Sequence, residues 1–231
     1  MDDDSRRLSR LRQRIDQACV LAGRETHSVR LLAVSKSQPV AAVERLFAAG
    51  HRAFGENRLQ EALAKQAALA KLDIEWHFIG AVQSNKTREL AVHFDWVQSV
   101  DRPLILERLA DQRPPGRPPL NVCLQVNIDA EPQKAGLAPG QVAEVATLAQ
   151  GLPGIVLRGL MCIPRFTDQP LETRDSLSRM RMLYQQLQSS GMELDTLSMG
   201  MSADFELAIA EGSTMVRVGT ELFGPRSDQE A

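Results

Sequence analysis

The chain repeats one pattern along its length, in which a short apolar run is followed by an amphipathic helix pattern. The predicted strands cover residues 31–35, 53–55, 75–79, 96–100, 120–128, 155–163, 196–199 and 215–218. Short and mostly apolar runs of this kind are typical of strands that are buried on both faces of a parallel sheet. Eight strands in alternation with helices predict an α/β fold, a closed (β/α)₈ barrel of the TIM type. The alternative is a doubly wound sheet, which usually has fewer strands.

One more helix precedes this series. Residues 4–22 carry an amphipathic pattern, and Gly23 is a candidate C-cap. We expect a single domain over residues 1–231, with residues 1–24 forming a helix packed on the barrel and with a short or borrowed last helix. The helices between the strands are predicted from Pro39 to Gly50, from about Asn57, over 84–94, 103–112 and 139–150, after residue 163, and over 202–211.

Composition excludes several classes of function. A net charge of −2 gives no reason to expect nucleic acid or an anionic membrane as partner. No apolar run approaches the length of a membrane span, and the N-terminus lacks the apolar core of a secretory signal. The four histidines show no metal-ligand spacing, so no metal is predicted. The three cysteines, Cys19, Cys123 and Cys162, are far apart in the sequence. They indicate a reducing compartment, and we therefore expect a cytoplasmic protein.

A lysine follows the first predicted strand directly. Lys36 ends the segment LLAVSK, so it lies where open α/β sheets and α/β barrels place their chemistry. A lysine near an apolar wall loses its charge more easily, and a neutral amine can attack a carbonyl group. The alternative is an ordinary exposed lysine at a strand end.

The loops after the last two strands carry the pattern of a phosphate site. Gly200 and Ser202 follow the seventh strand, and Gly219 and Thr220 follow the eighth. Barrels commonly bind phosphate between these two loops, through backbone N–H groups and a helix N-terminus. In the alternative interpretation, Ser202 is only an N-cap and Gly219 only a turn residue.

An arginine inside the eighth strand adds a third element. Arg217 is a permanent cation in an apolar strand, so it pairs with a carboxylate or meets a ligand. An amine, a phosphate site and an arginine at one barrel mouth together suggest pyridoxal 5′-phosphate (PLP). In that case Lys36 forms the Schiff base and Arg217 faces the pyridine nitrogen. An arginine there keeps the nitrogen unprotonated and disfavours demanding carbanion chemistry.

Longer segments make the sequence similar to a known family. LLAVSKSQP, AFGENRLQE, EWHFIGAVQSNKTREL, VNIDAEPQKAG, LRGLMCIP and LSMGMSADFELAIAEGSTMVRVGTELFG resemble the pyridoxal-phosphate homeostasis proteins. That family shares the fold-type III barrel of the alanine racemase N-terminal domain. The segments span nearly the whole chain from Leu31 to Arg226, and together they are highly specific.

The resemblance implies a set of PLP-binding residues. Lys36 corresponds to the lysine that binds PLP covalently, and Asn57 would lie beside the cofactor ring. Ser202, Gly219 and Thr220 would hold the phosphate. The full set that we expect to contact the cofactor is Lys36, Asn57, Met199, Gly200, Ser202, Arg217, Gly219 and Thr220.

The resemblance also implies a function, namely carrying or buffering PLP and keeping the PLP (vitamin B6) and amino-acid pools in balance. Alanine racemases need two bases, the second being a tyrosine from a separate domain, whereas the only tyrosine here is Tyr184, on a predicted core-facing helix position. The alternatives are a PLP-dependent amino-acid racemase or lyase, and a barrel enzyme that binds a sugar phosphate without PLP. The expected partners are PLP-dependent enzymes that receive the cofactor. We expect the protein to be a monomer. Lys86 and Lys134 are either solvated loop lysines or secondary PLP sites.

Overall fold

The computed structural model describes residues 3–224, and its strands form one closed parallel barrel with neighbours paired in chain order. β1 pairs with β8 to close the barrel, with Arg30 opposite Met215 and Ala33 opposite Val218. The predicted (β/α)₈ barrel is confirmed, and the strand bounds agree to within two residues. The strands are β1 (Arg30–Val34), β2 (Ala53–Glu56), β3 (Glu75–Phe78), β4 (Trp96–Val100), β5 (Leu120–Val126), β6 (Ile155–Cys162), β7 (Thr196–Ser198) and β8 (Met215–Val218).

Helices surround the barrel, and a 3-10 turn precedes two of them, at Ser84–Lys86 and Pro139–Gln141. The last helix in the described part of the chain has only four residues, in agreement with the short last helix predicted from the sequence. The helices are α1 (Asp3–Leu21), α2 (Val40–Ala48), α3 (Leu59–Ala68), α4 (Thr87–His93), α5 (Pro103–Gln112), α6 (Val142–Gln150), α7 (Pro170–Ser189), α8 (Phe205–Ala210) and α9 (Thr220–Phe223).

The additional N-terminal helix packs on the barrel's outer ring. α1 contacts α2, α8 and α9, and it buries an apolar stripe that includes Leu8, Leu11 and Ile15. Gly23 ends the helix with a φ of 69°, a left-handed conformation that glycine adopts without steric cost. α1 therefore covers the helices that follow the last two strands.

The core has two parts, of which the larger lies between the barrel wall and the helices. The barrel interior holds a smaller apolar group around Leu32, Ala53 and Met215, and a second group formed by Trp96, Cys123 and Met161. Buried polar side chains fill the rest of the interior, and they belong to the candidate site described below. Within residues 3–224, no helix is long and apolar enough to span a membrane.

The helix after β7 differs from the sequence prediction. It begins at Phe205 rather than at Ser202, because residues 201–204 form a separate turn. The backbone N–H of Met201 donates to Asp204 Oδ1 at 2.7 Å, and the N–H of Asp204 donates to the Met201 carbonyl at 3.1 Å. Ser202 is therefore not the N-cap of α8, and Asp204 occupies that position.

Candidate functional site

The predicted site residues lie on four strands that are adjacent around the closed barrel. Lys36 follows β1, Asn57 follows β2, Ser202 follows β7, and Arg217 lies within β8. The barrel order β7-β8-β1-β2 puts these positions in one sector of the C-terminal face, where α/β barrels place their sites.

The loops of this sector pack closely on one another. A Cβ added to Gly219, after β8, would lie only 3.1 Å from the carbonyl oxygen of Val34 in β1. A Cβ added to Gly80, after β3, would lie 2.1 Å from the Asn57 carbonyl oxygen. Gly80 is therefore required for the two backbone segments to approach each other, and a side chain at Gly219 would need a small shift of its neighbour.

The side chain of Lys36 is half-buried, and within residues 3–224 its amine makes no hydrogen bond or ion pair. The loop around it is fixed nonetheless. Ser37 has a φ of 58°, an uncommon conformation for a residue other than glycine. Its backbone N–H donates to Glu61 Oε1 at 2.5 Å. The loop thus holds a free amine on a constrained backbone.

A buried group of charges lies behind this loop. We call it the Glu56–Lys65–Glu61 cluster; Glu56 ends β2, and the other two residues lie on α3. Lys65 Nζ donates to Glu56 Oε1 at 2.8 Å, to Glu61 Oε1 at 2.7 Å and to the Ser35 carbonyl at 2.6 Å. The Ser35 hydroxyl donates to Glu56 Oε1 at 2.6 Å. Burial raises the pKa of Glu56 despite the bonds from Lys65 and Ser35.

The loop after β7 offers hydrogen-bond donors without protein acceptors. Gly200 has a φ of 96°, and a Cβ there would lie 2.6 Å from the Cβ of Ala208, so only glycine fits. Beyond it, the backbone N–H groups of Ser202 and Ala203 and the Ser202 hydroxyl donate to no acceptor in the part of the chain that the structure describes. Groups of this kind can bind an anion.

Two other predicted site residues, Met199 and Thr220, differ in how far their side chains are exposed. Met199 is fully buried in the core beneath the β7 loop, so only its main chain can face a ligand. Thr220 is exposed and begins the short helix α9. Glu206, an acidic residue in the first turn of α8, forms an ion pair with Arg14 of α1.

Arg217 is buried in the barrel interior, with 4% of its surface exposed. Its guanidinium donates to the Ser198 hydroxyl and to the Cys162 carbonyl, both at 2.8 Å. Among residues 3–224, no carboxylate lies within ion-pair distance of it, so the interpretation as a structural ion pair does not hold. Burial lowers the pKa of Arg217 from its usual high value, and the cation is held by neutral acceptors alone.

A chain of hydrogen bonds continues from Arg217 across the barrel. The Ser198 hydroxyl donates to Gln98 Oε1 at 2.7 Å, and Gln98 Nε2 lies 2.8 Å from His77 Nδ1. His77 Nε2 lies 2.7 Å from Glu75 Oε1. Burial lowers the pKa of His77, which favours a neutral ring. The amide donor at Nδ1 and the carboxylate at Nε2 assign its proton to Nε2. Every link then donates in one direction, from Arg217 to the Glu75 carboxylate.

The two lysines left open by the sequence have different surroundings. Lys134 Nζ pairs with Glu131 and donates to the Pro164 carbonyl at 2.9 Å. It borders a cavity of ≈ 570 Å³ beside the β7 loop. Lys86 lines a separate cavity of ≈ 340 Å³ with Asn57. Neither lysine directly follows a barrel strand as Lys36 does.

Comparison with known proteins assigns the chain to a family. The family model for the alanine racemase N-terminal domain matches residues 7–227. A pyridoxal phosphate homeostasis protein of Pseudomonas aeruginosa is 53% identical over 219 residues, covering 95% of this chain and 94% of the relative. The protein of the same name from Escherichia coli K12 is 43% identical and covers 98% of each chain.

The chain belongs to the pyridoxal phosphate homeostasis protein family. Solved structures agree with this assignment. PipY of Synechococcus elongatus, determined with PLP bound, has a TM-score of 0.85 at 40% identity and covers 96% of this chain and 100% of its own. Alanine racemase from Corynebacterium glutamicum has a TM-score of 0.71 at 18% identity, which shows a shared fold.

Sequence reasoning missed the residues that bind the backbone of the Lys36 loop and the residues that form hydrogen bonds with Arg217 or continue its chain. A signal was present, because Glu56, His77 and Gln98 are polar residues inside otherwise apolar strands. Buried polar groups in such positions are expected to have partners. The sequence did not indicate which partners these would be.

Proposed function

We propose that this chain binds pyridoxal 5′-phosphate covalently through Lys36, and that it carries and buffers the cofactor as a homeostasis protein. The observation that carries the proposal is the half-buried, unpartnered amine of Lys36 on a constrained loop at the barrel mouth. Membership of the family and the PLP-bound PipY structure support it. When bound, PLP supplies an aldehyde carbon that condenses with a neutral lysine amine, releasing one water molecule and forming a C=N bond.

The β7 and β8 loops fit the phosphate. The Ser202 hydroxyl and the N–H groups of Ser202 and Ala203 have no protein acceptor among the described residues. Gly200 lets this backbone pass close to α8, and Gly219 and Thr220 complete the site from β8. Asp204 uses Oδ1 to accept the Met201 N–H, so its charge stabilises the turn that presents these donors.

Arg217 fits the cofactor ring, whereas the placement of Asn57 beside the ring rests on the family resemblance alone. An arginine without a carboxylate partner keeps a nearby pyridine nitrogen unprotonated, because a second positive charge beside it is unfavourable. An unprotonated ring stabilises a carbanion poorly. Arg217 therefore favours storage and transfer of the cofactor over amino-acid chemistry.

The alternative function is an amino-acid racemase or lyase, and Tyr184, the only tyrosine of the chain, is not placed to serve as a racemase's second base. Tyr184 is buried in α7, and its hydroxyl donates to the Leu194 carbonyl at 2.8 Å, just before the start of β7. That is the opposite end of the barrel from Lys36. Burial also raises the pKa of Tyr184 to about 12, so its hydroxyl stays protonated at neutral pH and is not available as a base.

The proposal extends to partners and compartment. We infer that the partners are PLP-dependent enzymes that exchange the cofactor with this protein. A reducing compartment, as in the cytoplasm, fits the cysteines, all three of which are free and buried.

Covalent trapping tests the proposal. The protein is mixed with PLP, reduced with borohydride and digested, and the peptide carrying the pyridoxyl group is identified by mass spectrometry. We expect the label on Lys36 and its loss in Lys36→Ala with an unchanged melting temperature, because no core volume is removed. Lys86→Ala and Lys134→Ala serve as matched lysine controls.

Two outcomes would overturn the proposal. A label on another lysine of the wild-type protein would reject Lys36 as the attachment site. Rapid exchange of the α-proton of added D- or L-amino acids for deuterium would reject the carrier function and favour a racemase or lyase.

A further inference from the structure

We propose that the Glu56–Lys65–Glu61 cluster is a positioning device for Lys36, an inference that rests on the proposed attachment of PLP to that residue. In the part of the chain that the structure describes, the Lys36 side chain has no partner, so its direction depends on its backbone. The two peptide groups that flank its Cα are the Ser35–Lys36 and Lys36–Ser37 peptides, and the cluster binds both. This arrangement fixes the backbone while it leaves the amine free.

Each flanking peptide has its own contact. The Ser35 carbonyl accepts a hydrogen bond from Lys65 Nζ at 2.6 Å, and the Ser37 N–H donates to Glu61 Oε1 at 2.5 Å. The same Glu61 oxygen accepts from Lys65 at 2.7 Å, so the two contacts belong to one connected group. Glu56 anchors this group from β2 and also accepts the Ser35 hydroxyl.

The conformation that these bonds hold is not the one the loop would favour alone. Ser37 has a φ of 58°, in the left-handed region that serine rarely adopts. Such a residue persists only where its surroundings determine it. The hydrogen bond from the Ser37 N–H to Glu61 stabilises this conformation one residue after Lys36.

The cluster also explains why the neighbouring lysine does not compete for an aldehyde. An ammonium group has three N–H donors, and Lys65 uses all three on acceptors within 2.8 Å. Its surface is only 4% exposed. Lys65 is thus held as a structural cation, and Lys36 is the amine that remains available.

The test compares the rate of covalent attachment with the stability of the PLP-free protein. Glu61→Ala removes the acceptor of the Ser37 N–H at a position whose side chain is 26% exposed, so water replaces it and the fold is retained. We expect attachment of PLP to Lys36, measured by borohydride quenching at successive times, to slow by about 10- to 100-fold, since small misplacements of a reacting group have effects of this size. Glu61→Gln retains an acceptor oxygen and should restore most of the rate.

A second variant removes the two most buried members of the cluster. Glu56→Leu combined with Lys65→Met takes both charges away together, so the only charge that loses its partner is that of Glu61, whose side chain is 26% exposed to water, and the protein should still fold. Attachment should again be slow. Glu211→Ala is the matched control, because Glu211 is a buried carboxylate with two arginine partners, Arg174 and Arg181, between α8 and β8 at the opposite end of the barrel. It should lower the melting temperature and leave the attachment rate unchanged.

The outcomes separate this inference from the proposed function. A label on Lys36 in the wild-type protein, with unchanged attachment rates in Glu61→Ala and in the double variant, would overturn the positioning role alone. The positioning role would also be overturned if Glu211→Ala slowed attachment as much as Glu61→Ala, because the rate would then follow the stability of the protein. A wild-type protein with no label on Lys36 would overturn the proposed function first.

Discussion

The two sides of the barrel mouth hold their key residues by opposite means. On the β1–β2 side, the Lys36 side chain is free, and a cluster of buried charges binds its backbone. On the β7–β8 side, the Arg217 side chain itself is bound, and its acceptors are a hydroxyl and a carbonyl without charge. The β1–β2 side thus pairs its buried cation with carboxylates, whereas the β7–β8 side leaves a buried cation without a counter-ion among residues 3–224.

This difference matches what each residue would do with a cofactor. An amine that forms and releases a covalent bond has to move, so its support belongs in the backbone. An arginine that sets the charge of a ring has to stay in place and keep its charge, and neutral acceptors achieve both. The contrast leads to three predictions, given in order of decreasing effect.

The largest effect is expected from replacing each buried cation by methionine. Lys65→Met leaves Glu56 buried without a counter-ion, and breaking a buried pair in this way costs about 3–5 kcal/mol of unfolding free energy. Arg217→Met strands no carboxylate and leaves mainly the Cys162 carbonyl unpaired, a cost of about 1–3 kcal/mol. Urea unfolding of the PLP-free variants measures both values. Equal losses would remove the distinction between the two sides.

A smaller effect concerns the spare donors of the β7–β8 side. Ser202→Ala removes a hydrogen bond to a charged acceptor, worth roughly 1.5–3 kcal/mol, or one to two decades in affinity for PLP. Thr220→Val should weaken the binding of PLP less than Ser202→Ala does, because Thr220 is exposed. Equilibrium titration measures the affinities, with pyridoxal, which lacks the phosphate, as the control ligand. Equal weakening of PLP and pyridoxal by Ser202→Ala would place the phosphate elsewhere.

The smallest effect is a difference in pH dependence. Burial lowers the pKa of His77, so below pH 6.5 the unfolded chain takes up a proton that the folded chain refuses, and stability falls with falling pH. Burial raises the pKa of Glu56, so the folded chain keeps a proton that the unfolded chain has lost above pH 4.5, and stability falls with rising pH. The two residues therefore act in opposite directions.

Variants separate these two contributions. His77→Asn should flatten the loss of stability on acidification, and Glu56→Gln should steepen it, each by about 1.4 kcal/mol for every unit by which the pKa is shifted. Denaturant unfolding between pH 7 and pH 4 measures the slopes. Parallel changes in the two variants would contradict the assignment of neutral His77 and raised Glu56.

Much of the fold followed from local patterns. Apolar runs fixed the strands of the barrel to within two residues, because burial on both faces leaves a strong signal in each strand. The start of α8 was predicted wrongly. The turn at 201–204 depends on one hydrogen bond from the Met201 N–H to the Asp204 carboxylate, which apolar periodicity does not report.

The supports of the site could not be predicted in the same way. Glu61 and Lys65 are spaced i, i+4 on a helix, the pattern of an ordinary solvated pair, and only the packing of α3 against the β1 loop buries them. The hydrogen-bond partners of Arg217 are separated from it along the chain, since Ser198 lies on β7 and Cys162 on β6. Barrel closure brings them together, and no local pattern encodes it.

The pairing of β1 with β8 has a consequence for how the protein matures. This seam joins segments from near the two ends of the chain, and contacts of such long sequence separation are slow to form during folding. Lys36 lies on one edge of the seam and Arg217 on the other. Under the proposed function the cofactor needs both residues, so it would bind only barrels in which this seam has closed and would stabilise them by mass action. Cofactor occupancy would then report completed folding.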